Sequence, residues 1–273
     1  MTARTTDVLV VGSGIAGCAA ALAAAREGAE VTVASKATRP EGASSWWAQG
    51  GIAVSKGDPE RFKRDILDAS DGTADPEAVD VLVENANDAV EDVLLGTLDV
   101  EFDRTAESEA EPAATDGRAA GPSTRDGFDF GREAAHSDDR ILHVDASTGK
   151  AIHVPFLNHL DGRDGVEIRE DTAALELIRH EGRVYGAMLE RDGDVAPTFA
   201  GATVLATGGV GDLYPGSTNP AGATADGIGM AALAGANVAD MEYVQFHPTV
   251  YRGAARGATQ GDGSPDGDSG QFL

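Results

Sequence analysis

Residues 7–17 read Asp7-Val8-Leu9-Val10-Val11-Gly12-Ser13-Gly14-Ile15-Ala16-Gly17, an apolar run that ends in a glycine-rich turn. An alanine-rich stretch follows as far as Gly28, and a second apolar run covers residues 31–34. Strand, tight turn, helix and strand within about 30 residues form the right-handed unit that opens a doubly wound sheet. The segment therefore predicts an α/β fold.

The three glycines of this turn have separate physical roles. Gly12 permits the tight turn, Gly14 lets backbone approach a pyrophosphate, and Gly17 lets the helix pack on the strand. The phosphates would face the positive end of the following helix. The turn predicts a dinucleotide site, and a turn that serves packing alone is the alternative. The second strand ends in Ser35-Lys36, where a simple NAD site would carry an acidic residue.

The charge balance excludes several classes of partner. The chain has 273 residues, of which 46 are acidic and 21 basic, for a net charge of -25. A field of this sign repels nucleic acid and anionic lipid. The excess of acidic residues indicates adaptation to a salt-rich cytoplasm, and an ordinary acidic protein is the alternative. No apolar run is long enough to span a bilayer and no leader pattern opens the chain, so the sequence predicts a cytoplasmic protein.

The composition also limits the redox chemistry. Cys18 is the only cysteine, which excludes an internal disulfide, a thiolate zinc site and an iron–sulfur cluster held by this chain alone. The histidines other than His247 lack the spacing of a helical metal site and are interpreted as structural. No metal is predicted, and redox chemistry would need an imported organic cofactor.

Further elements follow from local patterns. Asp58-Pro59 and Asp75-Pro76 each predict a helix start, and residues 103–129 are interpreted as a surface excursion. The second helix carries an apolar stripe that includes Leu82. Glu181-Gly182 predicts a hairpin turn. Strands are predicted at residues 141–144, 166–169, 174–178, 184–190 and 203–206.

Residues 41–53 contain a serine pair, a polar amide and a double glycine. Such a segment could wrap a second face of a large cofactor, and a purely structural loop is the alternative. For Trp46 and Trp47 core packing is the favoured role.

Seven motifs, taken in order, resemble the fumarate reductase and succinate dehydrogenase flavoprotein superfamily, and within it the L-aspartate oxidase family. They are Gly12-Ser13-Gly14-x-Ala16-Gly17, Val33-x-Ser35-Lys36, Trp47-Ala48-Gln49-Gly50-Gly51-Ile52-Ala53, Ala206-Thr207-Gly208-Gly209, Thr218-Asn219-Pro220, Asp226-Gly227 and Gln245-Phe246-His247-Pro248-Thr249. The resemblance implies a Rossmann-like FAD-binding domain with inserted β-hairpin elements over residues 1–235. It also implies the start of a substrate-capping domain at 236–273, with both domains incomplete.

The implied activity is the oxidation of L-aspartate to iminoaspartate by hydride transfer to flavin N5, in the quinolinate route to NAD. Oxygen or fumarate would be the electron acceptor, and quinolinate synthase the pathway partner. A soluble fumarate reductase or succinate dehydrogenase type of flavoprotein and a non-catalytic flavin-binding remnant are the alternatives. Family arginines that clamp the substrate lie beyond the matched region, so the chain alone is expected to be weakly active or inactive unless another polypeptide completes it.

The resemblance also implies cofactor residues, and it implies non-covalent FAD because Ser44 stands where covalently flavinylated members carry a histidine. Asp226 is supported independently, since a carboxylate at a helix start can cap the helix or grip a cofactor hydroxyl. The implied set comprises Gly12, Ser13, Gly14, Ile15, Ala16 and Gly17 at the pyrophosphate, Lys36, Ala173 and Ala174 at the adenosine, Asp226, and Ser44, Ser45, Trp46, Trp47, Ala48, Gln49, Gly50 and Gly51 at the flavin.

Two residues are implied to be catalytic. Glu133 matches a family glutamate that faces the substrate amine, and an ammonium group needs such a carboxylate whereas succinate does not. Alanines at 134 and 135 replace the usual glycines. His247 would donate a hydrogen bond to a substrate carboxylate. The alternatives are a solvated charge for Glu133 and a structural role for His247.

Overall fold

The computed structural model describes residues 2–105, 127–215 and 217–245. The predicted catalytic His247 and most of the surface excursion lie outside these residues. The described helices are α1 (Ile15–Arg26), α2 (Pro59–Ala69), α3 (Pro76–Ala89), α4 (Thr148–Asp161) and α5 (Asp226–Leu233). The strands are β1 (Arg4–Val11), β2 (Val31–Ala34), β3 (Ile52–Ala53), β4 (Phe130–Gly131), β5 (Ile141–Leu142), β6 (Val166–Arg169), β7 (Ala173–His180), β8 (Arg183–Arg191) and β9 (Asp194–Leu205).

The main sheet has six strands in the order β6-β2-β1-β9-β8-β7. The first four are parallel, with Val10 opposite both Val33 and Val204. The last three are joined as antiparallel hairpins. This is the Rossmann-like α/β fold with inserted hairpin elements that the sequence predicts, and the prediction is confirmed.

Alternate residues of β1 enter two cores on opposite faces of the sheet. Val10 packs with α1 and α4, where Leu22 and Phe156 are buried. Leu9 and Val11 pack on the other face with the hairpin strands and α5. Side chains of a strand alternate between faces, so a strand covered on both sides is apolar throughout. That burial explains the unbroken apolar run before the glycine turn.

Both predicted helix starts are confirmed. The Asp58 carboxylate accepts a hydrogen bond from the Arg61 amide, and Asp75 accepts one from the Glu77 amide, each at 2.9 Å. The predicted burial of Leu82 is wrong, because its side chain is 55 % exposed. After α3 the chain continues in π-helical geometry over Val90–Thr97, where Val90 and Leu94 are buried.

The hairpin at Glu181-Gly182 is confirmed, with both residues at positive φ. A second hairpin turn at Asp192-Gly193 was not predicted, and β9 begins at Asp194 rather than at 203. The first half of β9 buries small residues while Phe199 stays exposed, so it lacks the usual apolar signal. Pro197 lies opposite Met188 of β8, one residue before the pairing with β1 begins at Thr198.

A smaller antiparallel sheet has the order β3-β5-β4. It joins the segment that follows the double glycine to the segment that carries Glu133. Among the described residues, no helix combines the length and the apolar character needed to cross a membrane. The predicted domain boundary at 235/236 stays a prediction.

Candidate cofactor-binding site

A cleft of about 540 Å³ opens at the carboxyl ends of β1 and β9. Between these neighbouring strands the strand order of the parallel sheet reverses, which is where ligands of open α/β sheets bind. The volume falls within the range of small-molecule and cofactor sites. The cleft is lined by the glycine turn, the end of β2, residues 205–209 after β9, and the start of α5.

The glycine turn is shaped by close contacts with its own backbone. Gly12 has a φ of +108°, and a Cβ on it would stand 2.2 Å from the carbonyl oxygen of Ala206. A Cβ on Gly17 would stand 1.9 Å from the Gly12 carbonyl oxygen. Gly17 is not among the residues that line the cleft, and its position serves the packing of α1 on the turn. Both glycines are therefore required by the fold itself.

The amino-terminal end of α1 faces the cleft. Gly14 precedes the helix in an extended conformation, and no acidic side chain occupies the first turn. The Ile15 amide donates to the Ser45 hydroxyl at 3.0 Å, and the Ser13 hydroxyl donates to that of Ser35 at 2.8 Å. First-turn amides have no intrahelical acceptor, and together with the helix dipole they favour a negative charge at this place. The geometry fits the diphosphate of a dinucleotide.

Lys36 and Asp226 meet across the cleft. The Lys36 ammonium donates to the Asp226 carboxylate at 2.5 Å and to the Thr224 hydroxyl at 2.9 Å. The hydrogen bond from Lys36 holds the pKa of Asp226 below its ordinary value. The sequence assigned the two residues to the cofactor separately, and the structure makes them one ion pair. Together they offer a ribose hydroxyl both a donor and an acceptor.

The predicted flavin-side segment divides between two places. Ser44 and Ser45 line the cleft beside the glycine turn, and the Ser44 hydroxyl donates to the Asn219 side chain at 2.9 Å. The two tryptophans pack on each other edge to face, with ring centroids 4.6 Å apart. In the described part of the chain, Ala174 also lines the cleft, but the lining lacks these predicted residues: Trp46, Trp47, Ala48, Gln49, Gly50, Gly51 and Ala173.

The double glycine lies against the Glu133 segment. A Cβ on Gly51 would stand 2.3 Å from the Leu142 carbonyl oxygen, so this glycine packs directly on β5. A Cβ on Gly50 would stand 3.2 Å from the Glu133 carboxylate oxygen. The fold therefore brings the predicted substrate-facing carboxylate onto the Gln49-Gly50-Gly51 turn, although Gly50 and Glu133 are 83 positions apart.

The Glu133 segment is anchored to α2 by a buried charge cluster. Asp65 accepts hydrogen bonds from the Ser137 amide and hydroxyl at 2.9 Å, and it pairs with the Arg140 guanidinium at 3.0 Å. Arg140 is 1 % exposed and stacks over the Phe62 ring. The sequence analysis missed the role of Asp65 and Arg140. Nothing in the helical pattern of α2 distinguishes Asp65 from a solvated charge.

The sequence analysis also missed part of the cleft lining. Residues 206–209 were quoted as a motif without being assigned to the cofactor, although they form one wall. Their place directly after a buried parallel strand was the available signal. Val238 and Met241 also line the cleft, and no sequence pattern indicates that position.

The chain is similar to a known FAD-binding family and to curated L-aspartate oxidases. The FAD binding domain family matches residues 7–263. Over 91 % of its length the chain is 60 % identical to the L-aspartate oxidase of Halobacterium salinarum, and over 89 % it is 39 % identical to that of Caulobacter vibrioides. It covers 46 % and 45 % of those proteins, so it spans about half the length of the curated relatives it matches. The first organism is a halophile, in agreement with the predicted salt adaptation.

Solved structures show the same architecture. The apo Sdh1 complex of Mycobacterium smegmatis has a chain that is 26 % identical, with a TM-score of 0.79, and the match covers 92 % of this chain and 42 % of that one. A flavocytochrome c3 fumarate reductase in an open conformation is also 26 % identical, with a TM-score of 0.75 and coverage of 91 % and 44 %.

Proposed function

We propose, from the premise that this chain belongs to the FAD binding domain family, that it supplies the cofactor-binding portion of an enzyme that oxidises L-aspartate to iminoaspartate. The observation that carries the proposal is the position of Glu133. Its carboxylate lies against Gly50, in the same segment whose Ser44 and Ser45 line the cleft. One continuous stretch thus connects the cofactor cleft to an acidic group that suits an amino-acid substrate.

The residues present fit FAD. The glycine turn and the start of α1 offer amides to the diphosphate, and the Lys36–Asp226 pair and Ala174 lie where the nucleoside end would bind. Ser44 cannot form the covalent link of a histidine, so the cofactor would be held without a tether. When bound, FAD would supply the oxidising group that accepts a hydride from the substrate α-carbon.

Glu133 separates aspartate from succinate. A carboxylate stabilises the α-ammonium of aspartate by charge-assisted hydrogen bonding, and succinate offers no cation to match it. Asp65 and Arg140 hold the segment in place from α2. His247 is proposed to donate to a substrate carboxylate, and this role stays a prediction because the residue lies outside the described residues.

The test is anaerobic reduction of the bound flavin, measured by bleaching of its absorbance. L-Aspartate should bleach the FAD-loaded protein and succinate should not. The Glu133→Gln variant should keep FAD affinity but lose at least about tenfold in the rate of reduction by aspartate, because one charge-assisted contact is lost. Both proteins should also be measured as a chimaera that continues into the remaining portion of the Halobacterium relative, since this chain covers 46 % of that protein.

Two results would contradict the proposal. Succinate that bleaches the flavin while aspartate does not would favour the fumarate and succinate alternative. Bound FAD that neither substrate bleaches, even in the chimaera, would favour the non-catalytic remnant. Oxygen or fumarate as acceptor, the quinolinate synthase partner and the cytoplasmic location remain predictions, to be tested by reoxidation rates, pull-down and cell fractionation.

A further inference from the structure

The carbonyl oxygen of Ser13, within the glycine turn, accepts hydrogen bonds from two side chains. The His153 ring approaches it with Nε2 at 2.7 Å, and the Cys18 thiol approaches it with Sγ at 3.3 Å. His153 comes from α4 and is 1 % exposed. A buried histidine from a helix distant in sequence thus hydrogen-bonds to the backbone of the predicted phosphate site.

The acceptor determines the tautomer of this histidine. A carbonyl oxygen cannot donate, so Nε2 must carry the proton and donate it to Ser13. The other ring nitrogen, Nδ1, is buried and has no hydrogen-bond partner among the described residues. Burial lowers the pKa of His153, which keeps the ring neutral near pH 7. A second proton at Nδ1 would be left without an acceptor in an apolar setting.

The Ser13 carbonyl controls the direction of the next amide. In a trans peptide the C=O of one residue and the N–H of the following residue point in opposite directions. Because the Ser13 carbonyl points to His153, the Gly14 N–H points away from that ring, and Gly14 itself lines the cleft. Glycine imposes little restraint of its own on this peptide plane.

We propose that His153 is a positioning residue for the cofactor: by donating to the Ser13 carbonyl, its neutral ring aims the Gly14 amide at the phosphate of the bound dinucleotide. The proposal rests on the proposed function in one respect, that FAD binds along this turn. It assigns the affinity for a phosphate anion in part to a residue that does not line the cleft.

Protonation of His153 at low pH should weaken its contribution to FAD binding. The folded pKa lies below the ordinary value of 6.5, so the contribution of His153 is complete above about pH 6.5 and is lost as the pH falls through the folded pKa. Burial raises the pKa of the Cys18 thiol to about 12, so it keeps its proton throughout. The other charged or titratable groups on α4 and on the elements packed against it are Arg26, Lys150, His159, Asp161, Glu167 and Arg169.

The experiment measures the FAD dissociation constant by flavin fluorescence in steps from about pH 7.5 down to about pH 4.5. His153→Leu removes the donor, and we expect about tenfold weaker binding at the highest pH. His153→Gln keeps an N–H donor without a titrating ring, so it should bind within about threefold of wild type and respond less to acid. The matched control is His180→Gln, a side chain that is 75 % exposed, which should behave as wild type.

Amide hydrogen exchange over residues 11–19, measured without FAD, gives a second readout. His153→Leu should accelerate exchange there, and His153→Gln should restore protection. If wild type binds no FAD, the proposed function fails while this exchange still decides the inference. Equal affinity and equal exchange in all variants would overturn it, as would equal losses in Leu and Gln, which would indicate packing alone. If His153→Leu does not fold, the pH dependence of FAD affinity in His153→Gln and wild type decides. A smaller loss of affinity in acid for His153→Gln supports the proposal, and equal losses overturn it.

Discussion

Two glycine motifs in this chain make close contacts with different neighbours. In the glycine turn, Gly12 lies so close to the Ala206 carbonyl that a Cβ would not fit, and Gly14 lines the cleft at the start of α1. In the double glycine, Gly51 packs against the Leu142 carbonyl too closely for a Cβ, and Gly50 lies beside the Glu133 carboxylate. The first motif packs on the main sheet and lines the cleft. The second makes room for the protein's own smaller sheet and its acidic segment.

The difference shows that a missing Cβ indicates close approach but does not identify what approaches. Gly12 and Gly51 both have positive φ and both would place a Cβ within 2.3 Å of a backbone oxygen. Only the first lines the cleft. A glycine pattern is therefore evidence for a cofactor when the following helix presents its first-turn amides there, as α1 does.

The largest effect is expected for Gly12→Ala. The new Cβ would clash with backbone that has no room to move, and the positive φ adds strain, so unfolding in urea should show a loss of more than about 3 kcal/mol. FAD binding should be lost with it. Gly28→Ala is the control, because its φ is +84° but no atom lies within 4 Å of the new Cβ. It should cost about 1 kcal/mol. Equal losses in the two variants would show that strain, and not the contact with Ala206, controls the turn.

A smaller and more local effect is expected for Gly51→Ala. Its clash falls on the two-residue strand β5, whose displacement would disturb fewer strand pairings than displacement of the main sheet, so the free energy of unfolding should fall by about 2 kcal/mol. FAD affinity should remain near that of wild type, as measured by flavin fluorescence. Gly50→Ala is the matched control and should cost less than about 1 kcal/mol, because the flexible end of Glu133 can move aside. Loss of FAD binding in Gly51→Ala would contradict the separation of the two motifs.

The smallest effect concerns the ion pair across the cleft. Lys36 lowers the pKa of Asp226, so the pair stabilises the folded chain above the ordinary pKa of 3.8 and loses this contribution as the pH falls through the lower, folded value. Both side chains are about 40 % exposed, so the amount should be below about 1 kcal/mol.

Thermal unfolding at about pH 5 and about pH 2 measures this contribution. Asp226→Asn should unfold at a lower temperature than wild type at the higher pH and show a smaller acid response. The double variant with Lys36→Gln should not add a second full loss. An additive result would show that the two groups act independently in the folded chain.

Local signals predicted most of the scaffold. The bounds of β2 and β6 agree with the prediction. All four residues of β2 are buried within the parallel sheet, whereas the edge strand β6 alternates and leaves Glu167 exposed. The cap residues Asp58 and Asp75 were predictable because capping depends on neighbours in sequence. The second hairpin was missed because β9 buries small residues, and the exposure of Leu82 depends on which face of α3 meets the core.

The candidate site was predictable only in part. The glycine turn and the serine pair do share one cleft, as their motif resemblance implied. Gly50 and Gly51 of the double-glycine segment lie instead against Glu133 and β5. Whether any of these side chains touches FAD stays a prediction that binding measurements must test.

The sequence by itself determined the strand-turn-helix unit, the helix starts and the anionic surface, because each arises from interactions between neighbouring residues or from composition. Only the tertiary structure decided that Glu133 meets Gly50, that Lys36 pairs with Asp226 and that His153 reaches the Ser13 carbonyl. These contacts join residues that are 83, 190 and 140 positions apart. Such contacts form only when packed helices and strands place distant backbone within reach, and no local pattern specifies that placement.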